Sequence, residues 1–378
     1  MNEVFIVSAV RTLIGVGKPT GALAPLLPVD LGALTMKEAA CRAGVDPAHV
    51  EDVVWGCVTP LGDQGANLAR LSVLKAGFPV QVPAVTLNRM CGSSQQAVHF
   101  AAQAILAGDM DIVIAGGTEM MSHQPLGSDW PAEWPPDFPY LLVHQGISAE
   151  MMAEKWGLTR DELDDYAFQS HVRAMHAIQA GYFEDQILVI TRPDGQEVTT
   201  DEGVRMPPNR EKMAALKPIF KPDGVITAGN ASQISDASAA LVVASARAVG
   251  RYNLVPRARI VARAVVGSDP VLMLDAPIPA TRMVLERAGL SMQDIDVIEI
   301  NEAFASVVLA WAQETQPPDT ERVNHNGGAI ALGHPLGATG AILMTKLLYE
   351  LERSKGHYGL QTMCIGHGMA TATIIERV

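Results

Sequence analysis

The stretch Asn88-Arg89-Met90-Cys91-Gly92-Ser93-Ser94 decides how the rest of the chain is read. It follows the apolar run 80–87, which Pro83 punctuates and which can end as a strand. It precedes residues 95–107, whose Ala, Val, Phe, Ile and Leu positions recur at helical spacing. Cys91 is therefore expected at a strand-to-helix junction. Small residues behind it let backbone pass close, and unpaired amides at a helix start favour a thiolate. A free cysteine is more often a small buried hydrophobe than a nucleophile. What adds chemistry is a second stretch far downstream, Asn324 through Gly340, which holds Gly333-His334-Pro335, followed by Cys364-Ile365-Gly366-His367-Gly368.

Outward from Cys91, strands are expected at 4–9, 53–58 and 111–117, with helices at 28–42, 67–76 and 95–107 between them. Strands and helices alternating in this way indicate βαβ units and a mainly parallel sheet. From Thr118 to Tyr140 the sequence is rich in Pro, Trp and Asp and has no sustained period, so it reads as an insertion. Helices are expected at 148–156 and 159–180, the second capped by Thr159 with Glu162 three residues on and stopped by Gly181. A strand follows at 187–190. Residues 201–223 concentrate Arg205, Arg210, Lys212, Lys217 and Lys221, either solvated loop charges or a phosphate-binding rim. After Thr227-Ala228-Gly229-Asn230, residues 237–245 read as an apolar helix. A second unit starts at 255–265 and continues with a helix at 280–288, a strand at 295–300, a helix from 301 toward Trp311, a helix at 339–351 and strands at 358–364 and 370–375. The layout 88–117 is echoed by 326–375: a small-residue loop, a long amphipathic helix, then an apolar strand. This suggests a duplicated half-domain with an inserted middle. The domains expected are an N-terminal half at 1–118 completed by about 235–254, an inserted region at 119–234, and a C-terminal half at 255–378.

The 378 residues exceed the usual size of one hydrophobic core. Hydrophobic residues make up 48%, aromatics only 5%, and there are 33 glycines, as in a tightly packed α/β enzyme. A net charge of −13 argues against nucleic acid as the main partner, although a local basic patch can still take a phosphorylated small ligand. Cys41, Cys57, Cys91 and Cys364 have neither disulfide-framework nor metal-ligand spacing and fit a reducing compartment. The start Met1 to Val7 lacks a basic n-region and reads as a first strand. No apolar run reaches about 18 residues, so no membrane insertion is expected, and a cytoplasmic location is the default.

Loops at the C-terminal ends of two such halves can meet in one crevice, bringing Cys91, Asn301, His334 and Cys364 together. Imidazole can take the thiol proton while Cys91 attacks an acyl carbon. A second cysteine can exchange a proton with a carbon acid, and the clustered glycines can expose backbone amides to an oxyanion. Taken alone, His334 and Cys364 remain open to a packing role. Four motifs in order, Asn-Arg-x-Cys-Gly-Ser-Ser at 88–94, Asn-Glu-Ala-Phe-Ala at 301–305, Asn-Gly-Gly-Ala-Ile-Ala-Leu-Gly-His-Pro at 326–335 and Cys-x-Gly-x-Gly at 364–368, resemble the thiolases along essentially the whole chain.

The resemblance implies a thiolase fold: duplicated βαβαβαββ halves in an αβαβα layered arrangement with an inserted loop domain. It implies CoA-dependent cleavage of a 3-ketoacyl-CoA to acetyl-CoA and a shortened acyl-CoA. Cys91 would be acylated, His334 would activate its thiol and Cys364 would act as acid or base. One oxyanion would be held by His334 and a water on Asn301, the other by the backbone amides of Cys91 and Gly366. The alternative is synthesis of acetoacetyl-CoA from two acetyl-CoA. Coenzyme A would be a co-substrate, with no metal or permanently bound cofactor. Arg205 would lie at its nucleotide end, Ala228 and Ser232 along the pantetheine, His144 near its inner part and Phe304 beside the thioester. Residues 119–234 would carry CoA binding and the contacts of a dimer or tetramer. Two departures from the family pattern stand out. His144-Gln145 replaces the His-Met of short-chain members, pointing to broader 3-ketoacyl substrates, and His367 replaces a glycine, where it either tunes proton transfer or points outward. A ketoacyl-synthase-like enzyme would use a different His/His/Cys or Glu/His/Cys set, and a silent binding relative would be expected to have lost one of Cys91, His334 and Cys364.

Overall fold

The computed structural model describes residues 3–378; Met1 and Asn2, where the first strand was expected to begin, lie outside the described residues. The N-terminal half runs β1 (Val4–Arg11), the short β2 (Gly15–Val16), α1 (Pro28–Ala43), β3 (Asp52–Gly56), α2 (Leu68–Lys75), β4 (Ala84–Leu87), α3 (Ser93–Ala107) and β5 (Ile112–Met120). Proline at the first turn of α1 and left-handed Gly44 after its last residue mark its ends. The middle of the chain holds α4 (Gln145–Trp156), α5 (Arg160–Gln179), the two-residue strands β6 (Ile190–Thr191) and β7 (Glu197–Val198), and α6 (Arg210–Ala214). Thr159 and Glu162 form the expected capping box at the start of α5. Then come β8 (Ser235–Ser245), α7 (Ala246–Tyr252), β9 (Ala258–Gly267), α8 (Pro277–Ala288), β10 (Val297–Ile300), α9 (Ala305–Thr315), α10 (Ala329–Leu332), α11 (Thr339–Ser354), β11 (Tyr358–Ile365) and β12 (Met369–Arg377).

Residues 237–245, expected as a helix, are strand β8, and every residue of it is buried. It lies between β1 and β5, antiparallel to both, so neither face meets water and no amphipathic period marks it. The sheet is mixed rather than mainly parallel. Its order is β10-β11-β12-β9-β1-β8-β5-β3-β4, with β2 pairing β8. Parallel pairs occur only toward the two ends, β10 with β11, and β3 with β4 and β5. The duplication is visible as a mirrored order of pairings. From the junction of β1 with β9, each side steps through two antiparallel pairs and then a parallel one.

The β1–β9 junction has only two residue pairs, Phe5 with Arg259 and Ile6 with Ala258. The two halves of the sheet face each other across α3 and α11, which pack together. Gln95 on α3, a helix that packs on β3 and β5, donates to Thr373 Oγ1 of β12 at 2.8 Å. On α11, Lys346 Nζ meets Glu299 of β10 at 2.8 Å. An added Cβ at Gly340 would lie 2.3 Å from the backbone nitrogen of Gln95, so glycine there lets α11 approach α3 closely. Helices α1 and α2 cover the outside of the first half-sheet, and α8 and α9 lie outside the second. The result is five layers, α/β/α/β/α, with the two central helices starting at Ser93 and Thr339.

The inserted middle is tied down by charge. Buried Arg11 grips Asp201 through two bonds of 2.8 and 3.0 Å, and Asp201 also accepts from Ile14 N at 2.7 Å. Of the basic cluster at 201–223, Arg210 is paired with Asp161, Asp164 and Asp165, and Lys221 with Glu154.

Candidate active site

Cys91 sits between β4 and α3, as its flanking pattern implies. Met90 before it takes a left-handed conformation with φ of 47°. Two side chains of the same motif hold that turn. Asn88 Oδ1 accepts from Met90 N at 2.7 Å, and Ser93 Oγ donates to Met90 O at 2.6 Å while accepting from Arg89 N at 2.9 Å. The motif residues thus shape the backbone that presents the thiol.

The second loop reaches the same place from β11 and β12. Residues 366–368 close that hairpin, with φ of 63° at His367 and 75° at Gly368. The N–H of Gly366 points at the Cys91 sulfur, as do the N–H of Cys91 itself and the side-chain amide of Gln145. An added Cβ at Gly366 would meet Met90 Sδ at 2.7 Å and Gln145 Nε2 at 3.1 Å, so only glycine fits here without displacement. Cys364 stands close enough that a charge on Cys91 raises its pKa. Both sulfurs therefore lie on the same side of the molecule.

The third loop carries His334. Leu336 packs in one apolar cluster with Cys91 and Ile365, and Ala341 N donates to Ser94 Oγ at 2.9 Å, so this loop lies along the start of α3. The His334 ring is bonded on both nitrogens. Thr339 Oγ1 lies 2.7 Å from Nδ1 and itself donates to Pro335 O at 3.0 Å. Its oxygen is thus an acceptor for Nδ1–H, which leaves Nε2 with the lone pair. Asn301 Nδ2 donates to that Nε2 at 3.3 Å, and Asn301 Oδ1 is buried without a protein partner.

Burial dominates the electrostatics. It pushes the Cys91 thiol up to about 11 against the three N–H donors, and Glu119 adds to the rise. Burial likewise holds the Cys364 thiol above its ordinary range. It alone lowers His334 to about 4. The thiolate expected from the helix start is therefore not the resting form. At neutral pH both thiols keep their protons and His334 is neutral, which makes it a competent proton acceptor for an attacking thiol.

Three further residues organise the site in roles that the sequence did not signal. Thr339 sets the His334 tautomer. Gln145 donates to Cys91, where its replacement of methionine suggested only an altered acyl wall. Buried Glu119 accepts from Val58 N at 2.7 Å, Thr59 N at 3.1 Å, Gly337 N at 2.9 Å and Gln64 Nε2 at 3.1 Å, fastening the His334 loop to the end of β3. On sequence it falls in the insertion, after an apolar strand expected to end at 117, whereas β5 continues through Met120.

The residues expected around CoA fall into two groups. Phe304 belongs to the same apolar cluster as Cys364. His144, whose ring caps α4, stacks on Phe220 at 5.0 Å, and Phe220 meets Phe304 edge-on at 6.1 Å. Ser232 N donates to Ala303 O at 3.0 Å, beside Phe304. Arg205 and Ala228 are exposed. Among the described residues no hydrogen bond or ion pair ties their side chains to the catalytic candidates. Arg205 instead fixes its backbone through an N–H donated to His171 Nδ1 at 3.1 Å. A wide concavity of about 730 Å³ between α1 and residues 184–189 is lined by none of these residues. Among the described residues no group of three or more His, Cys, Asp or Glu is arranged to hold a metal ion, and no helix is long and apolar enough to cross a membrane.

Residues 4–135 and 136–247 match the family model for the thiolase N-terminal domain, and residues 254–377 match that for the thiolase C-terminal domain. The chain belongs to the thiolase family. It is 49% identical over 392 residues to a steroid 3-ketoacyl-CoA thiolase of Mycobacterium tuberculosis, covering 100% of this chain and 95% of that relative. It is 43% identical to a beta-ketoadipyl-CoA thiolase of Acinetobacter baylyi, over 100% of both chains. The crystal structure of the Bacillus anthracis acetyl-CoA acetyltransferase superposes with a TM-score of 0.92 at 39% identity, covering 100% of this chain and 99% of that one. This thiolase is accordingly an acyltransferase with CoA thioester substrates, built on the thiolase fold.

Proposed function

We propose that this thiolase cleaves 3-ketoacyl-CoA with free CoA, giving acetyl-CoA and an acyl-CoA two carbons shorter, through an acyl group carried on Cys91. The observation that supports it best is the meeting of the Cys91 sulfur with the N–H groups of Cys91 and Gly366 beside Cys364. Cys91 gives its proton to His334 Nε2 and its sulfur adds to the 3-keto carbon. The resulting oxyanion takes hydrogen bonds from the N–H groups of Cys91 and Gly366. As the C2–C3 bond breaks, its electron pair passes to the acetyl-CoA enolate. The oxygen of that enolate is held by His334 Nε2–H and by a water on the unpartnered Asn301 Oδ1. Cys364 gives its proton to C2. After acetyl-CoA leaves, the CoA thiol gives its proton to the Cys364 thiolate and attacks the acyl carbon, and the released Cys91 recovers its proton from His334.

Arg205 is assigned to the nucleotide end of CoA, Ala228 and Ser232 to the pantetheine, His144 to its inner part and Phe304 to the thioester. Arg205 has an exposed side chain and, among the described residues, no ion pair, which leaves it open to phosphate. Residues 119–234 supply all of these contacts except that of Phe304, within the insertion, between halves assigned to 1–118 with about 235–254 and to 255–378. Self-association is part of this reading. Strand β4 ends the sheet, and Val85 on it is 46% exposed, so an edge is open to a second copy. The four free cysteines suit the cytoplasm.

The reverse reaction, condensing two acetyl-CoA to acetoacetyl-CoA, uses the same groups with Cys364 as base. The acetyl-CoA acetyltransferase likeness favours it, and the relatives of higher identity favour cleavage of longer substrates. CoA-dependent cleavage measured across acetoacetyl-, medium- and long-chain 3-ketoacyl-CoAs tests the reading. Turnover rising beyond four carbons supports it, and activity confined to acetoacetyl-CoA contradicts it.

A further inference from the structure

Asn301 Nδ2 and His334 Nε2 stand 3.3 Å apart although their segments enter the site from different directions. The His334 peptide N–H donates to Gln233 O at 3.0 Å, and its ring is set by Thr339. Asn301 follows β10, and its own N–H donates to Thr362 O of β11 at 3.1 Å. None of these bonds joins one segment to the other. That joining is done behind the two side chains, by buried polar groups for which the proposed reaction has no use.

Glu302, next in sequence to Asn301, is fully buried and accepts four hydrogen bonds. Ile330 N, in the short helix α10 that ends just before Gly333 and His334, donates to it at 3.1 Å. Asn324 Nδ2 donates at 3.0 Å, and Tyr166 and Ser170 of α5 donate at 2.7 Å each. Asn324 also accepts from Ile300 N and donates to Ile300 O, both at 2.9 Å. Lys346 of α11 makes a second tie, since its buried Nζ donates to Glu299 of β10 at 2.8 Å and to Gly327 O at 2.6 Å. The turn at 327–328 fits between these groups only as glycine. An added Cβ at Gly328 would lie 2.3 Å from the Glu302 carboxyl carbon, and one at Gly327 2.6 Å from Ser170 O.

We propose that Glu302 and Lys346 are positioning residues for the enolate half of the reaction: they clamp residues 299–302 against residues 324–330, and so set Asn301 beside His334 where the enolate oxygen forms. This inference rests on the assignment of that oxygen to His334 and a water on Asn301. Replacing a buried ion pair by hydrocarbon is often neutral or stabilising, so the Lys346–Glu299 pair adds little to folding. What it adds is a fixed place for Gly327 O, and with it for the start of the His334 stretch. The acylation half depends on the clamp far less. It uses the N–H groups of Cys91 and Gly366, and a His334 ring held from the other side by Thr339 and through Gln233. Loosening the clamp therefore moves Asn301 away from a histidine that stays in place.

The test separates the two halves. Acetylation of Cys91 by acetyl-CoA is followed by protein mass after rapid quenching. Enolate formation is followed in D2O as deuterium entering C2 of acetyl-CoA. Cys364 takes a C2 proton, the electron pair of that bond moves onto the thioester oxygen, and a solvent deuteron on the Cys364 sulfur returns to C2. Glu302→Gln sets an NH2 group against two of the four donors. Glu299→Gln combined with Lys346→Met removes the second tie without leaving a charge buried alone, so it keeps the test open if Glu302→Gln fails to fold. Each folded variant is expected to acetylate Cys91 at a rate close to wild type. Its C2 exchange should fall roughly 10- to 100-fold, as a misplacement of about 1 Å can cost. Equal losses in acetylation and exchange, or exchange at the wild-type rate, would overturn the clamp while leaving thiolase cleavage standing. A wild-type enzyme that never acetylates Cys91 would overturn the reading of the site on which the clamp rests.

Discussion

At Cys91 two influences act on one sulfur. Burial keeps the proton on, while the donors from Gly366, Cys91 and Gln145 favour its departure. A hydrogen bond to a charged group is worth about 1.5–3 kcal/mol, so Gln145→Ala is expected to lower kcat roughly 10- to 100-fold. The same substitution should slow alkylation of Cys91 by iodoacetamide at pH 8, because the thiolate loses a donor. Iodoacetamide has no acyl chain, so an unchanged alkylation rate would mean that Gln145 only lines the substrate pocket. The position of Cys91 was legible because an apolar strand and a helical repeat flank it on either side. The roles of Gln145 and Thr339 were not, because a sequence does not reveal which distant atom an amide or hydroxyl faces. The thiolate expectation failed for a related reason: a helix start can be read from residue types, but full burial of the sulfur depends on packing from β11 and the His334 loop.

At the scale of elements, Glu119 near the end of β5 joins two loops, the one after β3 and the one that carries His334. Glu119→Ala would leave the N–H groups of Val58, Thr59 and Gly337 buried without an acceptor. Each orphaned donor costs about 1–3 kcal/mol, so a loss of several kcal/mol is expected in urea unfolding. Glu119→Gln, which keeps one acceptor oxygen, should lose less. Two variants as stable as wild type would show that the His334 loop is held by packing alone. Elements with a cap or an exposed face were legible, such as α5 with its Thr159 and Glu162 box. Strand β8 was not. Its run Ser-Asp-Ala-Ser-Ala-Ala-Leu-Val-Val-Ala-Ser shows no polar side of strand period because it is buried on every side. Alanine favours helix in isolation, and here pairing with β1 and β5 overrides that preference.

For the whole molecule, the duplicated halves place the starts of α3 and α11 side by side, and this brings loops distant in the chain onto one thiol. The echo between 88–117 and 326–375 revealed the duplication, yet not the strand order. Parallel pairing was inferred from alternation, whereas β8 and β12 return antiparallel and make the sheet mixed. The same deep core buries neutral histidines. Burial first, with nearby arginines, lowers His99 to about 3, and burial lowers His334 to about 4. Their folded pKa values lie below the ordinary 6.5, so the unfolded chain binds more protons between those limits. Stability is therefore full above pH 6.5 and falls as pH drops toward 4. At pH 5 each such histidine costs on the order of 2 kcal/mol. Unfolding midpoints of wild type and His99→Gln at pH 7.5 and 5 should show a shallower acid loss in the variant; identical losses would contradict neutral burial of His99. The central claim, that Cys91 carries the acyl group while Cys364 handles the carbon-bound proton, is tested most directly by peptide mass mapping after brief exposure to acyl-CoA and to 3-ketoacyl-CoA. The expected result is an acyl adduct on Cys91 in wild type, none in Cys91→Ala, and in Cys364→Ala an adduct from acyl-CoA without carbon–carbon cleavage. An adduct on any residue other than Cys91 would contradict it.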